Sequence, residues 1–154
     1  MLEAALHKSG ITEELLEPFN DRGDGVITLV HADGVPKTVL LDTFVPSLRE
    51  MLTEHAAIHP DRKFRLRVAI HFGEVHFDEQ GVFGEDIDIT CRLVEAPELK
   101  HRLRQIEALL VLVVSEYIHR TVVKHDYDGI DGRTFEPIIE VEVGNQTHTG
   151  WVQS

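Results

Sequence analysis

Residues 64–93, which read FRLRVAIHFGEVHFDEQGVFGEDIDITCRL, decide the fold because strand, turn and helix signals follow one another within them. Phe64 to Phe72 alternates apolar and polar side chains, a pattern that predicts a strand with one buried face. Gly73 predicts a bend. Residues 78–81, with the turn sequence DEQG, separate two further strand segments. Ile87 to Leu99 has the apolar spacing of a helix, which indicates that helices and strands share one sheet-containing domain.

The patterns on either side of this stretch complete the prediction of an α+β fold. Before it, they predict two short helices, strands on either side of a bend and a helix interrupted or reset at Pro46, over residues 1–9, 12–17, 19–31 and 36–52. After it, they predict a buried strand, a short helix capped by Ser115 and an antiparallel strand pair, over residues 109–114, 116–123, 135–143 and 148–152. This order predicts one domain over residues 1–154, with helices covering one face of a mostly antiparallel sheet.

Composition and charge narrow the classes of partner. The chain has 154 residues, of which 42% are hydrophobic and 27% are charged, so it is globular and long enough to bury a core. Its formal net charge of −12 disfavours nucleic acid and anionic membrane surfaces as partners. A nucleotide remains compatible with that charge, because Mg²⁺ or Mn²⁺ can bridge carboxylates to phosphates.

The single cysteine and the apolar segments predict a cytoplasmic protein. Cys91 has no second cysteine with which to form an internal disulfide, which fits a reducing compartment. The first ten residues lack the pattern of a secretory signal. The longest apolar run, Ala108 to Val114, is too short to cross a bilayer.

Four motifs in consistent order resemble the catalytic domain of class III adenylyl and guanylyl cyclases, in its actinobacterial cyclase-like variety. They are Asp21-Arg-Gly-Asp-Gly25, Leu66-Arg-Val-Ala-Ile-His-Phe-Gly-Glu-Val75, Gly84-Glu-Asp-Ile-Asp-Ile-Thr-Cys-Arg-Leu93 and Val114-Ser-Glu116. The resemblance implies a ferredoxin-like cyclase homology domain whose first strand would precede Met1. It also implies a signalling lyase that converts a nucleoside triphosphate to a cyclic nucleotide and pyrophosphate. Active sites of this family form between two such domains, which implies a homodimer or a partner cyclase-like or effector domain.

The resemblance also assigns roles to individual residues. Asp24 matches the second aspartate that holds Mg²⁺ or Mn²⁺, and Arg92 matches the arginine that stabilises the transition state. Asp88 stands where the family has the asparagine that positions the ribose. Asp86 and Asn20 match the two positions that read the base.

Each assignment has a simpler structural interpretation beside it. Asp24 is also an ordinary turn residue, and Asn20 an ordinary loop residue. Arg92 can form an i,i+4 ion pair with Asp88, which also suits the first turn of a helix. The histidines, His71 among them, are interpreted as structural or surface residues.

Two departures from the family keep the function open. The first metal-binding aspartate would lie on the strand before Met1. Residues 134–154 contain no lysine or arginine, where the family holds phosphate with a lysine. Three hypotheses follow: an active nucleotide cyclase, a catalytically inactive nucleotide-binding or regulatory domain, and a dimerisation module with its surface near Gly73 and residues 75–83.

Overall fold

The computed structural model describes residues 1–17, 20–21 and 25–154, and gives the backbone alone for Asn20, Asp21 and Asp128. The helices are α1 (Leu2–Lys8), α2 (Lys37–Val39), α3 (Val45–Ile58), α4 (Glu85–Val94), α5 (Pro97–Gln105) and α6 (Glu116–Thr121). The strands are β1 (Asn20–Asp21), β2 (Val26–Ile27), β3 (Leu66–Ile70), β4 (His76–Asp78), β5 (Gly81–Phe83), β6 (Leu110–Ser115), β7 (Phe135–Val143) and β8 (Gln146–Gln153).

The main sheet is mixed and has the strand order β3-β6-β8-β7. Strands β3 and β6 run parallel, with Leu66 opposite Leu110, whereas β6–β8 and β7–β8 are antiparallel. Strands β4 and β5 form a hairpin of their own outside this sheet, and β1 pairs with β2. The α+β class and the final antiparallel pair are therefore as predicted.

The expectation of helices on one face of the sheet is wrong, because helices cover both faces. Leu110, Leu112 and Val114 of β6 share a core cluster with residues of α1, α3 and α6. Val111 and Val113, on the opposite face, share a second cluster with residues of α4 and α5. All six residues of β6 are buried. An unbroken apolar run such as LVLVV is typical of a strand covered on both sides, and the sequence carried this signal.

The helical segment before β3 confirms the predicted reset at Pro46. Residues Leu40–Phe44 are π-helical and join α2 to α3. Proline has no N–H, so Pro46 cannot donate the hydrogen bond that an α-helix would direct to the carbonyl of Asp42. Helix α1 buries Ala5 and Leu6 against this segment and α3.

The predicted break at Pro97 is the start of another helix. Pro97 occupies the first position of α5, where a missing N–H costs nothing, and Leu99 and Leu103 are buried. Within the described part of the chain, none of the helices has the length and apolar character needed to cross a membrane.

Candidate functional site

A cleft of about 300 Å³ lies where the parallel strands β3 and β6 end. In sheets with parallel strands, ligands commonly bind outside the carboxyl ends of those strands. His71 follows β3, Ser115 is the last residue of β6, and Asp86 lies in the first turn of α4. The lining residues are His71, Asp86, Ile89, Ser115, Glu116, Tyr117, Arg120, Thr147, His148 and Thr149.

A chain of hydrogen bonds runs through the wall of this cleft. The Ser115 hydroxyl accepts a hydrogen bond from the Ile118 backbone N–H at 3.3 Å and contacts Nδ1 of His71 at 2.7 Å. Nε2 of His71 contacts Oδ1 of Asp86 at 2.7 Å. With Ser115 donating to Nδ1, the Nε2–H of His71 donates to the carboxylate, and every donor in the chain has an acceptor.

The second carboxylate oxygen of Asp86 is also bonded. The backbone N–H of Glu74 donates to Oδ2 of Asp86 at 3.0 Å. This contact brings the backbone of the Gly73 bend against the carboxyl group. A Cβ at Gly73 would lie 2.1 Å from Cγ of Asp86, so the bend tolerates no side chain. The sequence marked Gly73 as a bend, and the close approach is the physical reason.

The hydroxyl, imidazole and carboxylate of Ser115, His71 and Asp86 are hydrogen-bonded in the same order as in an acyl-transfer triad. However, Ser115 is not placed to attack a substrate. Ser115 is only 3% exposed, and its oxygen caps the N-terminus of α6. The chain of hydrogen bonds instead joins α6, the end of β3 and the start of α4. Fully paired buried polar groups of this kind fix the relative positions of the elements that carry them.

The rim of the cleft carries aromatic rings and cations. Phe72 and Tyr117 stack with ring centroids 5.3 Å apart. Nζ of Lys37 lies 4.4 Å from the Phe72 centroid, and the guanidinium carbon of Arg120 lies 5.6 Å from that of Tyr117. Both distances are in the range of cation–π attraction. Tyr117 and Arg120 line the cleft, so this group of side chains places two cations near it.

Helix α6 and β8 form another wall of the cleft. The ring of His119 stacks on Trp151 at a centroid distance of 3.4 Å, and Trp151 Nε1 donates to Glu116 at 2.7 Å. Burial lowers the pKa of His119, and the nearby Glu116 carboxylate opposes that effect. Nε2 of His148 is buried and has no hydrogen-bond partner among the described residues.

Three of the predicted site residues lie on α4, and they do not all face the cleft. Asp86 lies in the cleft, whereas Asp88 and Arg92 are exposed on α4 and are not among the lining residues. Positions 86 and 92 differ by roughly 240° around a helix, which turns their side chains to different sides. Among the ion pairs of the described side chains, none joins Asp88 to Arg92.

The side chains of the two remaining predicted residues, Asp24 and Asn20, are not described. Asp24 lies outside the described residues, and Asn20 is described only as backbone in β1. Among the residues that are described, no three or more His, Cys, Asp or Glu side chains are grouped so that they could hold a metal ion. The expected Mg²⁺ or Mn²⁺ site at Asp24 stays a prediction.

Sequence reasoning missed the partners of Asp86. His71 was interpreted as a structural histidine, and Ser115 as a helix cap, but their contact joins positions 44 residues apart. The available signal was positional, since both residues directly follow apolar runs that predict buried strands.

No protein-family model matches the sequence, and no curated protein matches it.

Proposed function

We propose that this chain is a catalytically inactive regulatory module on a nucleotide-cyclase-like fold, which acts by pairing with a second copy of itself. The observation that carries the proposal is the state of Asp86. One of its carboxylate oxygens pairs with His71 and the other accepts from the Glu74 backbone. A carboxylate used in this way supports the fold and is poorly available for reading a base.

The position of Arg92 supports the same conclusion. A transition-state arginine must reach the phosphate that reacts, and it needs to share a hollow with the groups that bind the substrate. Arg92 is exposed in the last turn of α4 and does not line the cleft with Asp86, so the two residues share no hollow within one chain. The exposed Asp88 also brings negative charge where the family has a neutral amide.

The hairpin of β4 and β5 supplies the surface for pairing. Phe77 and Phe83 on this hairpin are 59% and 48% exposed, and Phe72 beside it is 37% exposed. A two-stranded hairpin is marginally stable in water. Phe77 pairs with Val82 and Phe83 with His76, so the hairpin exposes an aromatic ring on each of its two faces, and exposed apolar surface of this kind favours contact with a partner. The resemblance to cyclases, whose domains work in pairs, favours a second copy as the partner.

Two measurements test the proposal together. The protein is incubated with Mn²⁺ and each of ATP, GTP, CTP and UTP, and mass spectrometry is used to search for a cyclic product. Light scattering at tens of micromolar gives the mass in solution for the wild type and for Phe77→Ser/Phe83→Ser. Ile58→Ser is the matched control, because Ile58 is also exposed, at 71%, but lies on α3.

We expect no cyclic product. The wild type and the Ile58→Ser control should be dimers. The double variant should be a monomer with an unchanged circular dichroism spectrum. A cyclic product that disappears in Arg92→Ala would replace the proposal with an active cyclase. A monomeric wild type would remove the pairing.

Nucleotide binding without turnover is the second candidate. The cations Lys37 and Arg120 flank the Phe72–Tyr117 stack at the mouth of the cleft, and phosphates and bases bind to such combinations. Calorimetric titration with the four triphosphates and Mn²⁺ tests it. Binding that weakens in Lys37→Gln/Arg120→Gln supports this candidate, and no heat with any triphosphate removes it.

A further inference from the structure

A second cleft, of about 430 Å³, lies at the other end of β8, on the side of the sheet that α3 covers. It is bounded by the π-helical segment and the start of α3, by residues 129–134 and by the last residues of the chain. One part of its wall is apolar, from the side chains of Leu41, Val45, Pro46, Leu112, Ile130 and Phe135, and the rest is polar. This composition suits an apolar ligand body.

The cleft also contains a guanidinium group without an acidic partner. Nη1 of Arg49 donates to the carbonyl of Leu110 at 3.0 Å, and Nη2 donates to Oε1 of Gln153 at 3.1 Å. Both acceptors are neutral, and none of the ion pairs among the described residues includes Arg49. Burial lowers the pKa of Arg49. A partly desolvated cation in this situation is stabilised by an anion that enters beside it.

Arg49 retains donors for such an anion. A guanidinium has five N–H groups in a planar fork, and two are used by Leu110 and Gln153. The fork geometry matches the two oxygens of a carboxylate. A single carboxylate beside Arg49 would leave the rest of a ligand against the apolar wall.

Two acids limit the charge that the ligand can carry. Asp42 and Asp131 also line the cleft. Asp42 accepts a hydrogen bond from the neutral Thr43 hydroxyl, whereas Asp131 is paired with Arg133. Their fields, together with the net charge of −12, disfavour ligands with several negative charges. The cleft therefore selects against nucleoside triphosphates and inorganic phosphate.

We propose that this cleft binds a small monocarboxylate with an apolar body, such as a medium-chain fatty acid or an arylalkanoic acid, through Arg49. The carboxylate bridges the free N–H groups of Arg49, and the hydrocarbon part packs against Leu41, Val45 and Phe135. The site is separate from the cleft at Asp86, so its occupation does not depend on the function proposed above.

Ligand chemistry gives the first test. Octanoate and 4-phenylbutyrate are titrated into the protein and followed by calorimetry and by saturation-transfer NMR. Their neutral counterparts octanol and 4-phenylbutanol, and ATP, are titrated in parallel. We expect saturable binding of the carboxylates. The alcohols should bind at least about tenfold more weakly because they carry no charge to pair with the guanidinium. ATP should bind at least about tenfold more weakly because the acidic cleft disfavours its several negative charges. Equal affinity for octanol and octanoate would overturn the proposal.

Variants give the second test. Arg49→Lys keeps the charge but loses the fork, and we expect roughly tenfold weaker octanoate binding; Arg49→Met should abolish it. Asp42→Asn removes a negative charge from the cleft and should tighten binding about twofold or more, whereas Asp61→Asn, an exposed acid that does not line the cleft, should change it less. If both Arg49 variants fail to fold, the comparison of Asp42→Asn with Asp61→Asn decides. Equal effects of those two would overturn the proposal.

Discussion

At the scale of single residues, the bend at Gly73 shows how an absent side chain makes a polar contact possible. The Asp86 carboxylate lies so close to Gly73 that any Cβ would overlap it. That proximity lets the Glu74 N–H reach one carboxylate oxygen while His71 holds the other. Both oxygens of this partly buried carboxylate are thereby paired.

The first prediction concerns Gly73→Ala. The new methyl group would displace the Asp86 carboxylate from Glu74 and His71, and we expect a loss of about 2 kcal/mol in the free energy of unfolding. Urea denaturation followed by circular dichroism measures it. Gly25→Ala is the control, because a Cβ at Gly25 meets no atom of the described residues within 4 Å. Equal stabilities of the two variants would show that the contact with Asp86 contributes little.

The second prediction concerns the imidazole of His119, which stacks on Trp151, the single tryptophan of the chain. Burial lowers the pKa of His119 below its ordinary value of 6.5. An imidazolium next to an indole quenches its fluorescence, so we expect quenching of Trp151 on acidification with a midpoint below about 6.5. His119→Phe, which retains a stacked ring, should remove this titration. A midpoint above 6.5 would contradict the assigned cause.

The lowered pKa of His119 should also make the free energy of unfolding depend on pH. The unfolded chain takes up the proton of His119 near pH 6.5, before the folded chain does. The contribution of His119 to stability is therefore complete above that pH. It falls as the pH decreases from 6.5 towards the lower pKa of the folded state, and below that pKa it changes no further.

At the scale of elements, the packing of α4 on β7 and β8 depends on close approach at Gly150. Gly150 is paired with Ile139 beside a register shift in β7. A Cβ at Gly150 would lie 2.8 Å from Leu93 of α4 and 2.9 Å from Val113 of β6. Helix and sheet can therefore come together only because position 150 has no side chain.

Gly150→Ala tests this packing. Because the added methyl group overfills the cluster around Leu93 and Val113, we expect a loss of about 1–3 kcal/mol in the free energy of unfolding. Val113→Ala removes one of the atoms that the methyl group meets, so the double variant should be more stable than the sum of the two single effects predicts. If the changes in the free energy of unfolding simply add in the double variant, overlap of the methyl group with Val113 is not the cause of the loss. Chemical denaturation of all four proteins completes the cycle.

At the scale of the whole molecule, charge opposes the proposed pairing. Each chain carries a formal net charge of −12, so two copies repel each other before their hairpins meet. The exposed phenylalanines of the hairpin have to outweigh this repulsion. Added salt screens the repulsion over a Debye length of about 10 Å at 0.1 M but leaves an apolar contact intact.

The fourth prediction follows from this balance. Raising sodium chloride from about 20 mM to 500 mM should strengthen self-association, because screening weakens the repulsion between the two acidic chains. Sedimentation velocity across a concentration series measures the change. Phe77→Ser/Phe83→Ser should remain monomeric at both salt concentrations. Association that weakens with salt would indicate an interface held by ion pairs instead.

Much of the architecture was determined by the sequence alone, because it depends on local chemistry. The alternation in Leu66–Ile70 predicts its buried face, Pro46 resets a helix, and Ser115 caps α6. These outcomes follow from side chains and backbones a few residues apart. The run Leu110–Ser115 also carried the signal of a strand buried on both faces, although helices on one face were expected.

The tertiary structure alone decided which residues meet. The sequence predicts Asp86 as a site residue, and the fold pairs it with His71 and the Glu74 backbone. Arg92 does not line the same cleft, and the side chains at positions 20 and 24 lie outside the described residues. Arg49, 61 residues from Leu110 along the chain, meets its carbonyl only because α3 lies across the sheet. Local patterns fix the direction of each side chain, whereas the distance between two side chains depends on how whole elements pack.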